Sequence, residues 1–90
     1  MTDERALRLR DPGVEWRILE DETVVLDLDG SQYFAINRTG TLLWPLLAQG
    51  TSRTQLVETL TQTCAVEAPE AARDVDAFCA RLDDAGLLEP

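Results

Sequence analysis

Apolar residues recur at every second position up to Ile36 and at helical spacing after Asn37, and this one change of period limits the fold more than any other feature. Before it stand Val14, Trp16 and Ile18, then Val24, Leu26 and Leu28, then Phe34 and Ile36, separated by Asp21-Glu22 and Asp29-Gly30. They predict a three-stranded antiparallel meander. After it, Leu42, Leu43, Trp44, Leu46 and Leu47 predict a short helix that closes at Gly50. Pro45 is costly in a helix interior, so this helix should start near Thr41 or kink at the proline. A second helix is expected from Arg53, capped by Ser52 or Thr51, with Leu56, Val57, Leu60 and Cys64 on one side. A third should run from Pro69 to Ala85 on a core stripe of Ala72, Val75, Phe78, Cys79 and Leu82. The fold class is α+β, a three-stranded antiparallel sheet followed by three α-helices, which with the hairpin as wing is a winged helix-turn-helix.

At 90 residues the chain has room for one core. Residues 1–13 are charged and end in Asp11-Pro12-Gly13, a turn signal, and read as a flexible N-terminal arm with at most a short strand through Leu7 and Leu9. Residues 14–90 read as the single domain. Pairing of the second and third strands can be argued from apolarity. A two-residue Asp29-Gly30 turn would set Leu26 opposite Tyr33, whereas a three-residue Asp29-Gly30-Ser31 loop sets Leu28, Leu26 and Val24 opposite Gln32, Phe34 and Ile36. The longer loop gathers more apolar groups on one face and is the expectation. It leaves Tyr33 on the other face as an exposed aromatic.

Charge and residue usage exclude whole chemistries. Seventeen acidic residues against eight basic ones give a net charge of -9, which repels nucleic acid and anionic membrane surfaces. All eight basic residues are Arg, with neither Lys nor His. Histidine-based nucleophile pairs, histidine metal sites and Schiff-base lysines are therefore ruled out. Cys64 and Cys79 lack the close spacing of a metal or redox pair and read as small buried hydrophobes in a cytoplasmic protein. No cofactor or metal is expected, and Asp83 and Asp84 read as solvated surface charges rather than catalytic acids.

A tri-helical winged unit suggests a DNA-binding regulator, but the third helix sets Glu70, Asp74, Asp76, Asp83 and Asp84 against only Arg73 and Arg81. Peptide binding fits better. The third strand, Gln32, Tyr33, Phe34, Ala35 and Ile36, lies at the edge of the meander and contains neither Lys nor Pro to guard it. Unless the first helix or the arm covers it, it can pair with an added strand.

The stretch Tyr33-Phe34-Ala35-Ile36-Asn37-Arg38-Thr39-Gly40, with Trp44 and Leu47 beyond it, resembles the middle of PqqD-like proteins. Ala72-Arg73-Asp74-Val75, followed by Phe78, Leu82 and Gly86-Leu87-Leu88, resembles that family's closing helix. The resemblance implies a non-catalytic recognition element that holds the leader of a ribosomally made precursor peptide as an extra strand between the third strand and the third helix. One shoulder of that helix, Arg73, Asp76, Ala77, Ala80 and Asp84, would then supply side-chain contacts. Ala48-Gln49-Gly50 departs from the Asp-Gly usual in the subgroup serving pyrroloquinoline quinone synthesis. The Tyr-Phe-x-Ile-Asn-x-Thr-Gly form looks more like the free-standing proteins of lasso peptide biosynthesis. That likeness implies two partners, a separate cysteine-protease-like leader peptidase and an ATP-dependent lasso cyclase. The alternative it leaves is a peptide chaperone for a radical modifying enzyme.

Overall fold

The structure, a computed structural model that describes residues 5–89, converts the period-two segment into three antiparallel strands. They are β2 (Val14–Leu19), β3 (Glu22–Asp27) and β4 (Gln32–Ile36), in the order β2-β3-β4. Two-residue strands β1 (Ala6–Leu7) and β5 (Thr51–Ser52) form a second, small antiparallel pair. The helices are α1 (Arg38–Gln49), α2 (Arg53–Cys64) and α3 (Ala68–Asp84). The α+β fold class is as expected. None of the helices is long and apolar enough to cross a membrane.

The helix boundaries follow local chemistry. Asn37 caps α1, its side-chain oxygen accepting from the Gly40 amide at 2.9 Å, so the helix starts three residues earlier than Thr41 and Pro45 lies in its interior on the exposed side. Gly50 closes α1 at a φ of +100°, its amide donating to the Leu46 carbonyl. Ser52 caps α2 by accepting from the Gln55 amide. Proline lies in the first turn of α3, as anticipated, and Gly86 follows its end at a φ of +73°. Two core assignments shift: Ala71 rather than Ala72 is fully buried on α3, and Cys64 is exposed at the end of α2 while Cys79 is half-buried.

The register of β3 and β4 is the one that apolarity argued against. Leu26 pairs with Tyr33, Val25 with Phe34 and Thr23 with Ile36, the pattern of the shorter turn. Thr23, Val25 and Asp27 therefore face the helices, and Leu26 and Leu28 are exposed. Two polar interactions explain the choice. The Thr23 and Thr41 hydroxyls bond at 2.8 Å in the interior, tying β3 to α1. Asp27 accepts from the Asp29 and Gly30 amides and from Arg10 Nη2 at 2.6 Å, bracing the hairpin turn from the inner side. A buried polar group with its partners in place costs little, so these positions need not be apolar.

Trp44 is at the centre of the core, fully buried, with Trp16 edge-on at 6.3 Å and Phe78 at 6.4 Å. Leu43, Leu47, Leu56, Leu60, Val75 and Leu82 belong to the same buried cluster, each burial worth about 1.5–3 kcal/mol. The expected arm is a correction. Residues 1–4 lie outside the described residues, but Leu7 and Leu9 are core residues. The Leu9 amide donates to the Leu47 carbonyl, that of Arg10 to Leu87, and that of Glu89 to Arg8. The segment is held because its alternate leucines complete the bottom of the core, and the short strand allowed through Leu7 extends only from Ala6 to Leu7.

Candidate functional site

β4 is an edge strand: β3 pairs with one side, and no described strand pairs with the other. The open side faces the C-terminal half of α3 across a cleft of about 620 Å³. All of Gln32, Tyr33, Phe34, Ala35 and Ile36 line it, opposite Arg81, Leu82, Asp84, Ala85 and Leu87. A smaller hollow of about 230 Å³ continues the cleft between the start of α1 and the middle of α3, past Asn37, Gly40, Ala77, Phe78 and Asp74. Arg81 lines both parts. The turn from β4 into α1 makes this shape. Gly40 packs so tightly on Ile36 and Phe78 that the start of α1 is held close to α3.

The strand side of the cleft is lined by the five strand residues singled out from sequence. Tyr33 projects outward at 77% exposure, while Phe34 is half-buried and Ile36 buried beneath the cleft. The helix side is different. Of the five α3 residues anticipated, the structure brings Ala77 and Asp84 to the cleft. Arg73, Asp76 and Ala80 are exposed but line neither part. Asp76 turns toward α2, where Arg53 holds it at 2.7 Å, and the Arg53 guanidinium keeps its carboxyl below the usual range. The cleft uses the adjoining stripe of Asp74, Ala77, Arg81 and Ala85 instead. Asp74, Arg81 and Ala85 escaped the sequence reading, although the stripe's steps of three, four and four along one helix face were available to it.

Chemically, the cleft has the parts that gripping an extended chain requires. It offers one row of strand N–H and C=O groups, an apolar floor of Phe34, Phe78 and Leu82, and alanines that leave room for inserted side chains. Burial, with Asp83 and Asp76 nearby, pushes the Cys79 thiol upward and so away from the reactive thiolate. Asp83 is held by Arg5 through two bonds of 2.8 Å, which lower its pKa. Neither residue lines the cleft.

Comparison with known proteins shows the chain's likeness at the level of family and fold. The family model for coenzyme PQQ synthesis protein D (PqqD) matches residues 22–88. No curated protein matches the chain. Two solved structures do. One is TbiB1 in complex with the TbiA(β) leader peptide, at 29% identity and a TM-score of 0.84, covering 91% of this chain and 94% of that one. The other is a lasso peptide synthetase B1 complexed with the leader peptide, at 30% identity and a TM-score of 0.80, covering 93% and 98%.

Proposed function

From the premise that the chain belongs to the PqqD family, as a recognition element similar to lasso peptide synthetase B1, we propose that it binds the leader segment of a ribosomally made precursor peptide. The leader adds as a strand to the open edge of β4, beside α3. The observation that carries this reading is the β4 edge, paired with no described strand and facing α3 across a cleft of about 620 Å³. That both similar structures are leader-peptide complexes supports it.

Strand addition supplies main-chain hydrogen bonds whatever the sequence, and the cleft supplies selectivity. Of the ten residues expected at the interface, Gln32 to Ile36 bind through the backbone and, at Phe34, through the floor. Ala77 and Asp84 contact side chains, joined by Arg81 and Ala85. Arg73, Asp76 and Ala80 can meet only a peptide that reaches over the helix. A disordered leader loses about 2–5 kcal/mol in ordering, which a few seated side chains must offset. The bound leader then holds the rest of the precursor close to a separate leader peptidase, and afterwards to an ATP-dependent cyclase, raising their effective concentration. This chain performs no chemistry of its own in that scheme and works in the cytoplasm.

The test is a titration at physiological salt of two labelled probes, the leader of the cognate precursor peptide and a DNA duplex. Saturable leader binding with no duplex binding is expected. Duplex binding with a steep salt dependence and no leader binding would overturn the proposal in favour of a winged-helix regulator.

A further inference from the structure

Arg81 holds the middle of the cleft with no ion-pair partner among the described residues. In a chain of net charge -9, Arg5, Arg10 and Arg53 are taken up by Asp83, Asp27 and Asp76, while no described carboxylate stands within ion-pair distance of Arg81. Four residues away in each direction are Ala77 and Ala85, too short to pair with it or to shield it, and Asp84, three residues on, lines the same cleft without forming an ion pair to it. Phe78 and Leu82 beside it are buried and apolar.

Building on the strand-addition reading, the geometry points to Arg81 as the residue that selects an acidic side chain in the bound peptide. A strand laid between β4 and α3 strips water from this guanidinium, and a desolvated cation without a counter-charge is costly. Asp or Glu at the position that passes Arg81 removes the cost through a charge-assisted, forked hydrogen bond. Lys or Arg there is both desolvated and repelled, so the site discriminates in both directions. Asp74 and Asp84 lie seven residues before and three after Arg81, about 10 and 4.5 Å along the helix axis. They repel further carboxylates. The cleft therefore accepts one acidic residue and rejects an acidic run.

Panning a display library of short random peptides on the full chain and on its Arg81→Glu and Arg81→Gln variants tests this. Arg81 is exposed, so both variants should fold, and melting curves check that they do. The wild type should enrich a single acidic column by about tenfold. Arg81→Gln should lose that column, and Arg81→Glu should replace it with Lys or Arg at the same place. Peptides that bind all three proteins with one unchanged pattern overturn the role of Arg81 while leaving strand addition intact. If none of the three folded proteins retains any peptide, the peptide-binding reading fails and this inference with it.

Discussion

Gly40 has no room for a side chain. A Cβ placed there would overlap the Ile36 Cγ2 and stand 2.8 Å from Phe78 Cε1, so α1, β4 and α3 meet at a point that only glycine allows. Gly40→Ala should therefore cost about 1–3 kcal/mol in urea denaturation and weaken peptide binding, since the displaced Ile36 and Phe78 both line the cleft. Tyr33→Ala is the contrasting case: at 77% exposure its loss should leave stability within about 0.5 kcal/mol, so any loss of peptide affinity is a binding effect. Asp27 belongs to this scale as well. The Gly30 amide above all, and then Arg10, hold its carboxyl below the usual range against the opposing effect of burial. Asp27→Asn should lower stability at neutral pH, and the difference from wild type should close at acid pH where both side chains are neutral. The Thr-Gly of the motif was legible as a family likeness, but its physical reason was not, because the close approach is made by Phe78, which lies 38 positions downstream.

The open strand is where the proposed binding becomes visible at the level of an element. If a peptide pairs with β4, the outward-pointing amides among Gln32–Ile36 should gain protection from hydrogen exchange at alternate positions, while the inward-pointing ones, already paired with β3, should change little. Unchanged exchange along β4 in a saturated complex would exclude strand addition. Existence and order of the main strands and helices were legible because period and caps are local signals. Two element-level readings were not. The β3–β4 register turned on Asp27 and Thr23, polar residues whose partners Arg10 and Thr41 are 17 and 18 positions away, so counting apolar side chains favoured the wrong face. On α3, periodicity located the core stripe but not which shoulder met the cleft. That depends on α2 occupying the side of Asp76, a fact set by long-range packing through Arg53.

At the scale of the molecule, the absence of histidine shapes the pH response. Asp27, Asp76 and Asp83 have lowered pKa values in the folded state, so the stability they confer is complete above the unfolded carboxylate range near pH 4 and is lost as pH falls through their folded values. Cys79 is raised, so its contribution is complete below the unfolded thiol range and is lost as pH climbs through its folded value. Melting temperature should therefore be nearly flat between about pH 5.5 and 8, with a decline on the acid side that Asp27→Asn makes shallower. A melting curve that steps near pH 6.5 would contradict this. The N-terminal segment also matters at this scale, and Leu9→Ala should cost about 2–5 kcal/mol because Leu9 is 2% exposed under Leu88. That contact has a consequence during synthesis. Leu9 leaves the ribosome some eighty residues before Leu87 and Leu88, which cover it and fasten Arg10. The nascent chain can form its hairpin and first helices while still attached, yet it cannot seal its core until Leu88 has cleared the exit tunnel.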